Sequence, residues 1–246
     1  MQVMKWSVMA LAIAGATSQM AYADEQDDST THAMADENVS SQAASNGFME
    51  DADLQLLNRN FAFYRNFNHG ASEQNYTNEW AHGFMTTFTS GFTQGTVGFG
   101  VDAFGQVGLK LNSGEGTGGT GLLPVNNSNP AQGQDEYGLA GGAVKARISE
   151  TTLAFGQQRP ESPVFATGDS RLLPSWATGT SIASDEITDL HIQGGHFYSG
   201  SGSASTNQDG VLQSVYGGTE FATGGYLGGE YAPSDDVGVA LQAPQS

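Results

Sequence analysis

A long run of alternating residues constrains this chain more than any other feature. Between residues 96 and 111, apolar side chains alternate with Gly, Thr, Asp, Gln and Lys, and Phe104 is the one large apolar residue among the latter. A period of two indicates a β-strand rather than a helix. The run is about twice as long as an average strand of 5–6 residues. The apolar face predicted from this pattern carries Val97, Phe99, Val101, Ala103, Val107, Leu109 and Leu111.

Other segments repeat the alternation and predict about eight strands. Residues 80–92 form a hairpin with 96–111 through a tight turn at 93–95. The first strand has an irregular pattern, which favours a bulge or faces of mixed polarity. Residues 112–134 and 157–184 are long loops, whereas 149–150 is a short turn. The further predicted strands cover 53–67, 137–149, 151–157, 184–198, 220–231 and 237–241.

Long strands with short turns at one end and long loops at the other are typical of an outer-membrane barrel. We therefore predict an all-β fold, a transmembrane antiparallel up-and-down β-barrel. Its apolar face would contact lipid and its Gly-rich face would contact water. Because the water-facing side needs no packed core, small residues are tolerated on that face. A soluble β-sandwich also alternates and is the alternative. Aromatic side chains predicted at the membrane interfaces are Trp80, Phe92, Tyr137 and Tyr226.

The N-terminus predicts export. Lys5 precedes an apolar stretch at 6–16, and Ala-Tyr-Ala at 21–23 has the small-x-small form of a cleavage site. The apolar stretch is shorter than the roughly 18 residues of a membrane anchor. We predict a cleaved signal peptide over 1–23, an acidic disordered leader over 24–46, and barrel from 47 to 246. The predicted location is the bacterial outer membrane.

Charge and residue types exclude several functions. The formal charge is −18 with only eight Lys and Arg residues, which disfavours nucleic acid as a partner. There is no cysteine, and the five histidines lack metal-site spacing, so we expect no metal. The Gly-rich run at 112–121 lacks the Lys of a phosphate-binding loop, and no cofactor is expected. A secreted hydrolase using Ser170 is an alternative, although no Gly-x-Ser-x-Gly motif surrounds that serine.

The few basic residues are candidates for a solute pathway. Charges along a narrow lumen determine which ions and solutes pass. The alternative is that they are solvated charges without a role in transport, in a non-conducting structural barrel. The basic candidates are Arg59, Arg65, Lys110, Lys145, Arg147, Arg159 and Arg171.

Several long motifs resemble one family. Residues 47–67, 79–114, 119–125 (Gly-Thr-Gly-Leu-Leu-Pro-Val), 169–174 (Asp-Ser-Arg-Leu-Leu-Pro) and 228–237 are similar, in order, to the OprD-type outer-membrane porins of pseudomonads. The resemblance implies an 18-stranded monomeric barrel for uptake of small carboxylate-bearing solutes such as amino acids, without catalysis. It also implies that loop 157–184 folds into the lumen and constricts the pore. Basic residues would guide the carboxylate, and Asp169 is our first candidate to meet an ammonium group.

The chain departs from that family in length. About eight strands are predicted here against the eighteen that the resemblance implies, and the sequence ends on Ser246 rather than on an aromatic residue. It resembles the N-terminal half of a porin. Because an open sheet leaves unpaired backbone groups in hydrocarbon, we expect this chain alone to form no stable selective pore.

Overall fold

The structure, a computed structural model, describes residues 40–67, 75–215, 220–234 and 237–245. These residues form strands, turns and loops, and none of them is helical. The described part of the chain therefore has no helix with the length and apolar character to cross a membrane. The strands are β1 (Asp53–Asn66), β2 (Tyr76–Thr89), β3 (Val97–Lys110), β4 (Glu136–Ile148), β5 (Thr151–Gln158), β6 (Trp176–Ile187), β7 (Leu190–Ser201), β8 (Leu212–Gln213), β9 (Glu220–Phe221), β10 (Gly224–Ser234) and β11 (Val237–Gln245).

Nine strands form one antiparallel sheet in the order β1-β2-β3-β4-β5-β6-β7-β10-β11, and β8 pairs with β9. Each strand of the large sheet pairs with the strands of that sheet that precede and follow it in the sequence, β8 and β9 lying between β7 and β10. This confirms the predicted all-β, antiparallel up-and-down arrangement. Within the described residues β1 and β11 are not paired with each other. The described sheet therefore has two edges.

The two faces of the sheet differ as the alternation predicts. In β3, Phe99 is 59% exposed, whereas Gly98 and Gly100 beside it are buried. We call the exposed apolar side the outward face and the opposite side, which the loops cover, the inward face. Large apolar side chains on the outward face include Phe84, Val97, Phe99, Val107, Val144, Ile148, Leu153 and Phe155.

The connections differ between the two ends of the sheet. Residues 149–150 join β4 to β5, and 188–189 join β6 to β7. At the other end, 111–135 join β3 to β4 and 159–175 join β5 to β6. We call these the short-turn end and the long-loop end. The predicted asymmetry of the connections is thus confirmed.

The predicted strand 184–198 is wrong, because a turn at Thr188 and Asp189 divides it between β6 and β7. Asp189 has φ 63°, a left-handed conformation that Asp tolerates better than most residues. Polar residues on both sides of the turn conceal the break in the alternation. The division of this segment, together with β8 and β9, is why the described residues contain more strands than the eight predicted.

The predicted loop 157–184 is also shorter in the structure. Gln157 and Gln158 end β5, and residues 176–184 belong to β6, so the loop covers 159–175. Small residues such as Gly179 and Ser181 suggested a loop, yet both pair with β5 and β7. We call residues 159–175 the β5–β6 loop.

The disordered leader predicted over 24–46 is wrong where the structure describes it. Residues 40–46 are ordered, with Gln42 3% exposed, whereas the predicted signal peptide, residues 1–23, and residues 24–39 lie outside the described residues. Composition suggested disorder because residues 24–46 are mostly polar and acidic. Hydrogen bonds to the turns of the sheet hold it instead. We call residues 40–52 the N-terminal strap.

The first strand has mixed faces and no bulge. The pairing of β1 with β2 runs from Asp53 opposite Thr89 to Asn66 opposite Tyr76 without a register shift. Phe61 and Phe63 lie on the inward face, where they pack against a buried apolar cluster. The irregular pattern of the sequence thus reflects apolar residues on both faces.

Most of the aromatic residues predicted at the membrane interfaces face the interior. Tyr137 is 4% exposed and Tyr226 is 6% exposed, and each belongs to a buried cluster. The ring of Phe92 lies against the side chain of Arg147. Of the four, Trp80 is on the outward face. The predicted positions of Tyr137 and Tyr226 are wrong because loops fold over the inward face and supply apolar partners there. That of Phe92 is wrong because its ring packs against the cationic side chains of Lys145 and Arg147.

Candidate functional site

The predicted pathway residues fall into three groups along the sheet. Arg65 and Lys110 are near the long-loop end, and Lys145 and Arg147 are near the short-turn end. Between these ends, Arg59 on β1 meets the β5–β6 loop. We call this middle set the loop cluster, and its members are Arg59, Arg159, Asp169 and Arg171.

Asp169 joins the loop cluster together. Its Oδ1 accepts a hydrogen bond from Arg59 Nη1 at 2.8 Å, and its Oδ2 lies 3.3 Å from Arg159 Nη2. Arg59 Nη1 also donates to the backbone oxygen of Arg171 at 2.7 Å. Arg59 belongs to the sheet, which we call the wall. Its guanidinium therefore ties the β5–β6 loop to β1 at two points. Charge-assisted bonds of this kind are stronger than neutral ones.

Two guanidinium groups of the loop cluster keep unused donors. Arg159 Nε is buried and has no hydrogen-bond partner within the described residues. The guanidinium carbon of Arg171 lies 5.9 Å from the centroid of the Phe63 ring, and none of the ion pairs in the described part of the chain includes Arg171. The cluster thus has three guanidiniums and one carboxylate.

Arg171 borders a cavity of about 410 Å³ between the β5–β6 loop and the segment that precedes β10. Its walls are mostly small and polar, which suits a small hydrophilic solute. No histidine is among the described residues that line it, so Ser170 has no neighbouring base there. The residues around the cavity are Gly168, Ser170, Arg171, Ser175, Ser203, Gln213, Ser214 and Val215.

The basic residues at the short-turn end have different partners. Lys145 Nζ is 2.6 Å from Asp102 Oδ1 and 5.0 Å from the centroid of the Phe92 ring. The guanidinium of Arg147 lies 4.1 Å from the same ring, and its Nε donates to Gln42 Oε1 at 3.1 Å. Cations attracted to a ring face in this way keep their charge close to the inward surface.

Lys110 and Arg65, the two basic residues near the long-loop end, differ in burial. The Lys110 side chain is 8% exposed; its ammonium pairs with Asp135 and donates to the Gly133 oxygen at 3.0 Å. Lys110 thus holds the loop 111–135. Arg65 is exposed and lies 5.4 Å from the Phe63 ring centroid.

A buried apolar cluster lies next to the loop cluster, and a motif that occurs twice in the sequence indicates it. The sequence Leu-Leu-Pro occurs at 122–124 and at 172–174, once in each long loop. Gly83 and Gly108 on the wall allow close approach, because a Cβ at either position would contact Leu172. Together the two segments bury the side chains of Ala81, Met85, Leu122, Leu123, Tyr137, Leu172 and Leu173.

Glu79 anchors the first of these segments, and sequence reasoning missed it. Its carboxylate is 0% exposed and accepts the backbone N–H of Thr120 at 2.7 Å and of Leu123 at 3.0 Å. Tyr137 adds a hydrogen bond from its hydroxyl to the Leu122 oxygen at 3.1 Å. The alternation of β2 places Glu79 on the inward face, and this position could have indicated its role. Asp102 and Gln42 were also missed.

Among the described residues, no group of three or more His, Asp or Glu side chains is arranged to hold a metal ion. The arrangement instead offers fixed positive charges and hydroxyl groups along one surface. Such groups bind and orient anionic solutes without chemical change.

Comparison with known proteins gives the family. Residues 46–246 match the family model described as outer membrane porin, OprD family. Porin D of Pseudomonas aeruginosa is 44% identical over 241 residues, which cover 98% of this chain and 51% of Porin D. The chain thus spans about half the length of this relative.

Solved structures agree in fold. A BenF-like porin from Pseudomonas fluorescens has a TM-score of 0.73 and 38% identity, covering 81% of this chain and 51% of that porin. Pseudomonas aeruginosa OpdK, solved with vanillate, has a TM-score of 0.69 and 33% identity over 81% of this chain and 50% of its own. These relatives are channels rather than enzymes, which removes the support for a hydrolase. The chain belongs to the OprD family of outer membrane porins.

Proposed function

We propose that the inward face and the β5–β6 loop line a passive pathway for small carboxylate-bearing solutes, including amino acids, across the outer membrane. The observation that carries this proposal is the charge imbalance of the loop cluster. Among the described ion pairs, Arg59 and Arg159 share one carboxylate, that of Asp169, and Arg171 has none. A solute carboxylate would supply the missing negative charge, and guanidinium binds carboxylate in a two-bond geometry.

Arg171 is the residue we assign to first contact with the solute carboxylate. It borders the cavity of about 410 Å³, which falls in the size range of small-molecule sites. Ser170 and Ser175 line the same cavity and offer hydroxyl donors. A passing solute must bind well enough to enter and weakly enough to leave, and a single half-buried guanidinium at the edge of the cavity suits both requirements.

Asp169 gives the same site a preference for amino acids over simple acids. Its side chain is 36% exposed although both oxygens have arginine partners. An ammonium group placed against this carboxylate while its carboxyl end meets Arg171 would satisfy opposite charges on one small solute. The related OpdK was solved with vanillate, an aromatic carboxylate, which supports carboxylate binding as a property of the pathway.

We further propose that outer-membrane lipid contacts the outward face and that the closed barrel works as a monomer. In the nine-stranded sheet of the described residues, β1 and β11 are not paired with each other. Unpaired backbone groups in hydrocarbon cost several kcal/mol each. The 246-residue chain alone is therefore expected to form no stable selective pore, and discrete conductance steps from the purified chain in planar bilayers would contradict this expectation.

Solute binding can be tested without a closed pore. The chain is folded in detergent and treated with phenylglyoxal, which modifies arginine, and the modified sites are mapped by mass spectrometry. Benzoate should slow modification of Arg171, whereas the neutral isostere benzamide should not. Equal rates with both compounds would refute carboxylate binding at this site.

The proposed preference for amino acids is tested by comparing glycine with acetate. Glycine should protect Arg171 better than acetate does, and Asp169→Asn should remove that difference. Asp209→Asn, which changes an exposed aspartate elsewhere, is the matched control. If glycine and acetate protect equally in the unaltered chain, Asp169 does not recognise the ammonium group.

A further inference from the structure

The N-terminal strap is attached to the connections at the short-turn end. The backbone N–H of Gln42 donates to the Ser149 oxygen at 3.1 Å. Ser45 Oγ donates to the Phe92 oxygen at 2.7 Å, and the backbone N–H of Gly91 donates to the Phe48 oxygen at 2.9 Å. The strap is therefore fixed to the connections at 90–96 and at 149–150.

Two glycines make room for the strap on the wall. A Cβ at Gly91 would lie 2.6 Å from Asp51 Cβ, and one at Gly98 would lie 2.6 Å from Gln42 Cδ. Neither glycine has the left-handed backbone that only glycine adopts easily. Space, rather than backbone conformation, favours glycine at these positions. The wall is thus shaped to receive the Gln42 side chain.

Gln42 places its amide oxygen on the guanidinium of Arg147. Its Nε2 donates to the backbone oxygens of Thr93 at 2.9 Å and Gly95 at 3.1 Å, which fixes the orientation of the amide. Its Oε1 then accepts from Arg147 Nε at 3.1 Å. The ring of Phe92 lies 4.1 Å from the guanidinium carbon, and no ion pair among the described residues supplies Arg147 with a carboxylate.

We propose that Gln42 occupies the edge of Arg147 that a solute carboxylate would bind, and thereby limits how tightly the short-turn end holds anions. This inference rests on the carboxylate pathway proposed above. A neutral amide oxygen is a weaker acceptor than a carboxylate, so it competes with the solute and does not neutralise Arg147. Gln42 is a specificity-determining residue, because it keeps the positive charge in the pathway while it shortens the stay of the anion.

The first test measures how accessible Arg147 is in the full chain. Phenylglyoxal should modify Arg147 more slowly than Arg65, which is exposed and serves as an internal reference. Gln42→Ala should raise the rate at Arg147 about fivefold, which corresponds to ~1 kcal/mol for one lost hydrogen bond. Gln55→Ala, an exposed glutamine on β1, should change nothing.

A second variant displaces Gln42 without changing it. Gly98→Ala adds a methyl group where the end of the Gln42 side chain lies, and that flexible end can move aside without unfolding the sheet. It should raise Arg147 modification as Gln42→Ala does. The proposal is overturned if Arg147 reacts as fast as Arg65 in the unaltered chain, or if neither variant raises its rate.

Protection by benzoate tests whether Gln42 limits the binding of anions at Arg147. In Gln42→Ala, benzoate should protect Arg147 at a lower concentration than in the unaltered chain, and benzamide should not protect it. If Arg147 becomes reactive in that variant but benzoate does not protect it, the proposed role of Gln42 toward anions is refuted. The carboxylate pathway itself is tested separately: it fails if benzoate does not protect Arg171.

Discussion

Arg59 Nη1 and Asp169 Oδ1 are 2.8 Å apart although 110 residues separate them in the sequence. This ion pair joins the wall of the sheet to the β5–β6 loop, and the same guanidinium group holds the backbone of Arg171. The position of the loop therefore depends on a contact that only the folded sheet brings together.

Breaking this pair should loosen the loop. Asp169→Asn removes the charge that holds Arg59 and Arg159, and Leu172, which is buried, follows Arg171 directly. We expect trypsin to cleave after Arg171 about two- to fivefold faster, consistent with the ~0.5–1 kcal/mol of a partly exposed ion pair. Mass spectrometry of the digest measures the rate. The same acceleration in the exposed-site variant Asp209→Asn would show that the pair has no such role.

The buried carboxylate of Glu79 should matter more for stability. Glu79→Gln keeps the shape of the side chain but turns an amide donor toward the backbone N–H of Thr120 or Leu123. An unsatisfied buried donor costs about 1–3 kcal/mol, so the free energy of unfolding should fall by that amount. Urea unfolding measures it, and hydrogen exchange should rise over 117–125.

The matched control for Glu79 is Glu136→Gln, because Glu136 is exposed at the start of β4. Its free energy of unfolding should stay within about 0.5 kcal/mol of the unaltered chain. If the two variants lose equal stability, burial of Glu79 is not the reason for its effect.

The alternation of β3 made the two faces predictable from sequence because the side-chain period of a strand is two. Nothing local, by contrast, predicted the order of the strap. Gln42 is bonded to residues 51, 53 and 105 positions further along the chain, and its neighbours in sequence carry no strand pattern. The turn at Thr188 and Asp189 was missed because polar residues on both sides conceal where pairing reverses.

The candidate site was predictable in its residue types and only partly in its contacts. Arg59, Asp169 and Arg171 stood out because basic residues are few and one motif surrounds the last two. Their partners depend on which loop covers which part of the wall, and that is decided by the buried leucines of two distant segments, 122–123 and 172–173. The repeated Leu-Leu-Pro sequence was the available clue to this packing.

The outward face provides a prediction on membrane insertion. Ala103 is exposed near the middle of β3, between Val97 and Lys110. Ala103→Lys should destabilise the folded chain in lipid by about 2–4 kcal/mol, whereas Val97→Lys near the strand end should cost about 0–1 kcal/mol. Urea unfolding from lipid vesicles measures both. Equal costs at the two positions would contradict a lipid-facing β3.

The strap should lose protection in acid because of Asp51. Hydrogen bonds from the side chain and backbone N–H of Asn46, at 2.7 and 2.9 Å, lower the pKa of the Asp51 carboxyl. A group whose pKa is lower in the folded state stabilises the fold above its unfolded pKa of about 3.9, and this contribution is lost as the pH falls through the lowered value. Hydrogen exchange over 40–52, corrected for intrinsic rates, should therefore show less protection at pH 3 than at pH 6. Asp51→Asn should remove this pH dependence, and an unchanged pH response in that variant would assign it to another group.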